Sequence, residues 1–366
     1  MVQVRVLFAP DSFGGTLTAV EAAQAMAEGW RRRAPHDDLV LAPMSDGGPG
    51  FVDTLHAALG GRLVAAPVLD QYGGETPAAV LVVDDTAYVE AAQACGLDLS
   101  PRREPEVATT YGVGQLIIVA IEEGVSCLVV GLGGSGTNDA GAGCLAALGG
   151  TAEPPDALIG GPRALATLSA VNVGGAQERM ADVAVVIATD VDNPLLGLRG
   201  ATNVYGLQKG LAEERKQLVD AHLAKLAELT DRRVADRKGA GAAGGLGFAL
   251  MLLGGQRVEG VRMVSEALGL AQLARQADLV VTGEGAFDFS SRSGKVPYGV
   301  AQIAGEAIRP CIALAGQVLV GSREMRTLGV ESAYSVVDLV GERAAFADPR
   351  GTLSDLAERV ASTWSR

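Results

Sequence analysis

The chain has 366 residues, 48% of them hydrophobic, and a formal net charge of −13. That length is more than one core usually serves, so two domains are expected, and the acidity argues against a nucleic-acid groove or an anionic membrane surface as partner. His36, His56 and His222 lack zinc-ligand spacing, and Cys95, Cys127, Cys144 and Cys311 form no C-x-x-C pair, so neither a zinc site nor a disulfide framework is expected.

Residues 2–9 are apolar and β-branched, which predicts a strand rather than a signal peptide. Pro10-Asp11-Ser12 breaks it, and residues 18–33 have helical periodicity. Thr18 with Glu21 three positions later is a capping box that fixes the helix start. Residues 39–43 repeat the pattern: a strand, then Ser45-Asp46-Gly47-Gly48, then a helix through Leu59. Residues 62–69 and 78–83, with Gln71-Tyr72-Gly73-Gly74 between them, predict an antiparallel hairpin.

Residues 127–149 read CLVVGLGGSGTNDAGAGCLAALG. A short strand enters a turn of glycine, serine and threonine, and a small-residue helix follows through Asn138 and Asp139. Glycines let backbone amides approach a ligand, and a helix N-terminus adds unpaired donors, so the segment predicts an anion site, most often for phosphate. Further on, residues 183–189 predict a strand running into Asp190-Val191-Asp192-Asn193-Pro194, and residues 213–229 an amphipathic, solvent-facing helix. A small-residue helix is expected over 239–253, strands over 278–282, 311–315 and 335–339, and a last helix with Leu353, Leu356, Val360 and Trp364 on one face. Strands alternating with helices imply parallel sheets with ligands at the C-terminal strand ends. No run of about 18 apolar residues suggests a membrane span, and a cytoplasmic location is expected.

Several of those strand ends carry carboxylates beside glycine: Asp11, Asp46, Asp139, Asp190 with Asp192, and Glu284 in Gly283-Glu284-Gly285. One such group can hold a metal and another can accept a hydroxyl proton, as magnesium-dependent phosphoryl transfer requires. Lys209 and Lys295, both next to glycines, are the cations placed to meet phosphate. Other readings fail. Lys295 is followed by Val296 and preceded at the first Walker A position by Phe289, and the fifth position of G-x-S-x-G around Ser135 is Thr137. Gly131, Gly133 and Gly136 match a dinucleotide fingerprint, but the acidic residue that should end a second strand falls in Glu153-Pro154-Pro155-Asp156, a loop.

Taken in order, APDSF, SDGG, GLGGSGTNDAGAG, DVDNPL, GLQKG, GAGAAGGLG and TGEG…SGKVPYGVA resemble the glycerate kinase type I family from Ala9 to about Gly316. The resemblance implies an α/β protein of two domains: a Rossmann-like domain split in sequence (1–61 plus 270–366) and an inserted α/β domain (62–269) that carries the 131–139 turn. The active-site cleft is expected between them. It implies ATP-dependent, Mg2+-assisted phosphorylation of D-glycerate, giving 2-phosphoglycerate. The partner expected is therefore a small molecule, with neither nucleic acid nor membrane, and a homodimer is an admissible assembly. The site expected comprises Asp190, Asp46 and Lys209 as catalytic residues, and Asp190 and Asp192 as metal ligands. Gly133, Gly134, Ser135, Thr137, Asn138, Glu284 and Lys295 are expected at the nucleotide, and Asp11, Ser12, Asp139 and Asp288 at the substrate. Gly14, Pro49 and Ala286 stand where the family has lysine, glutamate and arginine. These departures keep open a relative with altered specificity or weak turnover, or a metabolite sensor.

Overall fold

The computed structural model describes residues 3–288 and 295–365. Its main sheets are built from β1 (Arg5–Phe8), β2 (Asp38–Leu41), β3 (Arg62–Ala65), β4 (Ala79–Val83), β5 (Thr86–Glu90), β6 (Cys127–Gly131), β7 (Ala184–Ala188), β8 (Gln256–Val258), β9 (Leu279–Thr282), β10 (Cys311–Ala315) and β11 (Ser332–Ser335). The chain divides into two compact units. One runs through Asp46, takes Asp53–Leu59 and resumes at Gly260; the other takes Gly47–Val52 and Gly60–Glu259.

In the first unit five strands lie in the order β11-β10-β9-β1-β2, all parallel. From β1 the chain steps outward to β2, and from β9 it steps the other way to β10 and β11. Strand order therefore reverses between β1 and β9, which makes the C-terminal ends of these two strands the topological switch point where open α/β sheets bind ligands. The helix Ala19–Arg33 starts as its sequence predicts: the Glu21 amide donates to Thr18 Oγ1 at 3.1 Å, and the Thr18 amide donates to Glu21 Oε2 at 2.9 Å. Its Trp30 is fully buried edge-on to Phe8, with ring centroids 5.7 Å apart. Leu353, Leu356 and Val360 of the helix Pro349–Trp364 enter the same core. Truncating Trp30 to alanine would cost about 3–5 kcal/mol.

The strand expected over 335–339 is absent, because β11 ends at Ser335. There the Ser335 hydroxyl accepts the Asp338 amide at 3.1 Å and caps the helix Val336–Val340. A local cap outweighs the β preference of two valines.

In the second unit six strands lie in the order β8-β7-β6-β5-β4-β3. The expected hairpin is present as β3 against β4, with Arg62 opposite Val82, and Val68–Leu69 and Glu75–Thr76 pair in a separate ribbon. From β5 to β8 neighbouring strands are parallel, so Glu90, Gly131 and Ala188 end side by side. The glycine-rich segment expected as a helix over 239–253 is broken. Helix Ala242–Leu252 has left-handed residues at Ala243, Gly244 and Gly245. A Cβ on Gly244 would lie 2.0 Å from the Thr137 carbonyl oxygen, so this backbone has to press directly against the 131–139 turn.

Two segments join units other than those their sequence suggests. Gly47–Val52 belongs to the second unit, where the Glu90 carboxylate accepts the Gly50 amide at 3.1 Å and the Val52 amide at 3.2 Å. The helix Gly260–Ala267 belongs to the first, where a Cβ on Gly260 would lie 2.0 Å from the Asp46 carbonyl oxygen.

Candidate active site

The turn after β6 is held from several sides within its own unit. The Gly136 amide donates to Cys95 O and the Leu97 amide to Gly134 O, each at 2.7 Å. A Cβ on Gly133 would lie 2.4 Å from Gly48 Cα, and one on Gly134, where φ is +66°, would lie 2.7 Å from the Pro49 ring. Only glycine permits both approaches. Gly134 is exposed and Gly133 half-buried, while the next residues turn inward. No hydrogen bond of the Gly133 or Gly134 amide is found among the described residues, so the accessible part of the turn presents backbone donors.

Ser135, Thr137 and Asn138, expected at a nucleotide, are 7%, 0% and 1% exposed. Ser135 Oγ accepts from Lys209 Nζ at 3.0 Å, and the Thr137 carbonyl accepts from the same ammonium at 2.6 Å. Asn138 Nδ2 donates to Thr202 Oγ1 at 2.9 Å. The Ser135 and Asn138 side chains are therefore engaged with Lys209 and Thr202, and Thr137 meets Lys209 through its carbonyl. Lys209, expected as a catalytic cation, is itself buried, and burial lowers its pKa to about 8 against the opposing pull of Cys95 and Asp139.

Asp139, expected at the substrate, lies inside the fold. It is fully buried; Oδ2 accepts the Thr110 amide (2.8 Å), the Thr110 hydroxyl (2.9 Å) and the Gly143 amide (3.2 Å), while Oδ1 accepts the Gly141 amide at 3.0 Å. The first-turn donors of the helix Ala142–Ala147 are thus taken within the chain: Gly143 by the Asp139 carboxylate, Ala142 by the Asp139 carbonyl and Cys144 by the Thr110 hydroxyl. Burial raises the Asp139 pKa, and the four hydrogen bonds pull it back.

At the switch point of the first unit the arrangement is the reverse. Asp11 follows β1, Glu284 follows β9, and Asp46 lies beyond β2. The Asp11 amide donates to Gly283 O at 2.8 Å, which fixes the two loops against each other. The Asp11 carboxyl is pushed well above the usual carboxylate range by burial and then by the charge of Asp46. The Ser12 amide, donating at 2.7 Å, opposes this, Glu284 adds to it, and Lys295 opposes it weakly. Lys295 stands at the start of the helix Val296–Glu306, 3.6 Å from Glu284 and 3.9 Å from Asp288. Ser293 and Gly294 of the same motif lie outside the described residues. Gly14 adjoins this region too, since a Cβ on Gly285 would lie 3.4 Å from the Gly14 amide nitrogen.

Asp190 follows β7 and is half-buried. Asp192, expected as its fellow metal ligand, points to cations instead: Arg257 at 2.7 Å and Lys238 at 3.2 Å. Among the described residues no three His, Cys, Asp or Glu side chains gather as a metal cage. A single carboxylate still fits magnesium, which takes one or two protein oxygens and completes its shell with water and phosphate.

The sequence matches the glycerate kinase family over residues 6–365. The chain belongs to the glycerate kinase family. It is 38% identical over 345 residues to the glycerate kinase of Bacillus subtilis, covering 91% of this chain and 90% of the relative. It is 38% identical over 351 residues to the glycerate 2-kinase of Escherichia coli, covering 92% of each. A crystal structure described as glycerate kinase 2 from Salmonella typhimurium aligns with a TM-score of 0.82 at 34% identity, covering 99% of this chain and 98% of that one. Membership makes the protein a phosphotransferase with an alcohol acceptor, and the α/β architecture with parallel sheets is that of its structural neighbour.

Within this family member, sequence reasoning missed Glu90, Thr110 and Thr202. Glu90 carried a usable signal, a carboxylate ending an apolar β-rich run, like Asp190 or Glu284. Thr110 and Thr202 carried none, because each acts through a partner 29 or 64 positions away.

Proposed function

We propose that the protein transfers the γ-phosphoryl group of ATP to D-glycerate, giving 2-phosphoglycerate, with Mg2+. The observation that carries this reading is the family match across residues 6–365, which includes every strand-end cluster described above. The amides of Gly133 and Gly134 bind nucleotide phosphate, and the buried side chains of Ser135, Thr137 and Asn138 fix those amides in place. Asp190 holds Mg2+, which when bound offsets negative charge on the transferring group. Asp11, with Asp46 beside it, receives the proton of the acceptor hydroxyl, a role suited to a carboxyl whose proton affinity is raised. Ser12 and Lys295 orient the acceptor, and Lys295 meets its carboxylate. Glu284 and Asp288 keep that ammonium in position.

The test is ADP release from ATP with D-glycerate, with the phosphorylated product identified by 31P NMR. Robust turnover to 2-phosphoglycerate is expected. ADP release with another hydroxy acid but not with glycerate would sink the acceptor assignment. Ligand-induced stabilisation without any turnover would sink the enzymatic one.

A further inference from the structure

Lys209 and Thr202 lie on one short stretch, the helix Ala201–Tyr205 and the single 3-10 turn Leu207–Lys209 that follows it. Thr202 is 0% exposed and Lys209 3% exposed. Between them they make three hydrogen bonds to three successive polar positions of the glycine turn: Ser135 Oγ, Thr137 O and Asn138 Nδ2. Gly244 also presses on the Thr137 carbonyl, and the Ala140 amide donates to Gly244 O at 2.9 Å. The turn is thus gripped at Ser135, Thr137 and Asn138, while the amides of Gly133 and Gly134 have no hydrogen bond among the described residues. A lysine that reached a phosphate would have to surrender one or both of its bonds to the turn and emerge from burial.

We propose that Lys209 and Thr202 are positioning residues that hold the glycine turn in its phosphate-accepting shape from beneath, and that neither touches the phosphate. This rests on the reading that the turn meets nucleotide. The grip at its base leaves the Gly133 and Gly134 amides directed without a side chain of their own, and misplacement of a binding group by about 1 Å is enough to cost activity heavily.

The full-length protein, wild type and with Lys209→Met or Thr202→Val, is compared by amide hydrogen exchange without nucleotide and by steady-state kinetics. In both variants the peptide covering residues 132–140 should exchange roughly tenfold faster before any nucleotide is added, with a roughly tenfold higher KM for ATP and an unchanged KM for D-glycerate. Unchanged exchange with a raised KM for ATP would mean that Lys209 contacts phosphate directly, and overturns the proposal. Faster exchange with an unchanged KM for ATP overturns it equally. Should Lys209→Met fail to fold, the near-isosteric Thr202→Val carries the same comparison. Failure of the nucleotide reading is separately visible: in the wild type, Mg-ATP would then leave exchange of residues 132–140 unaltered.

Discussion

Asp139 and Asp11 are aspartates in loops that follow parallel strands, and their surroundings give them opposite work. Asp139 meets four donors from Thr110, Gly141 and Gly143, so its charge is matched by hydrogen bonds and spent on closing a helix start. Asp11 is desolvated by burial and also feels the negative charges of Asp46 and Glu284, so its proton affinity rises against the single amide donor of Ser12 and the charge of Lys295. A carboxylate surrounded by donors stabilises a fold; one beside other carboxylates is poised to take a proton. The glycine turn and the switch point differ in the same way. The turn is held by hydrogen bonds with Lys209, Thr202 and the surrounding backbone, whereas the switch point brings carboxylates close together.

Breaking each aspartate tests the contrast. The largest expected effect is on turnover: Asp11→Asn should lower kcat by about 10²–10⁴-fold, the range for loss of a general base. The same variant should stabilise the protein. Because the folded pKa of Asp11 is raised, the folded state holds more protons than the unfolded one between the ordinary value near 3.8 and the raised value. Stability is therefore lost as pH climbs through that window, and asparagine removes the loss. Thermal melts of the two proteins should differ at about pH 8, by roughly 2–4 °C for each kcal/mol relieved, and coincide at about pH 3. A lower melting temperature for Asp11→Asn at the higher pH would place Asp11 with Asp139.

Asp139→Asn should do the opposite. Its new amide would face N–H donors, costing about 3 kcal/mol in urea unfolding. Lys209 gives a stability effect of similar size with its own pH signature. Below about pH 8 its proton is present in folded and unfolded chains alike, and the cost of burying the charge is fully felt. Between about 8 and the ordinary 10.5 the unfolded chain holds more protons, so rising pH favours folding. Relative to Lys209→Met, the wild type should gain on the order of 3 kcal/mol across this window, read from urea unfolding at its two ends. A pH-independent difference would show that the ammonium is not desolvated.

The smallest effect is expected at Asp192. It pairs with Arg257 and Lys238 while remaining 55% exposed, so Asp192→Asn should change stability by less than about 1 kcal/mol. It should leave the Mg2+ dependence of turnover unchanged; a large shift in that dependence would restore Asp192 as a metal ligand.

Much of this was legible without coordinates because it is local. The Thr18–Glu21 capping box spans three residues. Cys127–Gly131 leads into its glycine turn through adjacent positions, and the apolar face of the last helix repeats at helical spacing. The misread segments depend on particular neighbours. Ser335 stops a strand by capping with Asp338, and Gly244 breaks a helix because Thr137 occupies the space beside it.

The sequence by itself determined the strand–turn–helix order, the glycines that permit close backbone approach, and the ordered motif set that marks the glycerate kinase family. It also placed carboxylates at the strand ends. Only the tertiary structure decided what each of them does, because a carboxylate's behaviour is set by the donors and charges a few ångströms away. Asp139 meets Thr110, and Asp11 meets burial first and then the charges of Asp46 and Glu284. Folding brings Glu284 to Asp11 from 273 residues along the chain, a distance over which local patterning carries no information.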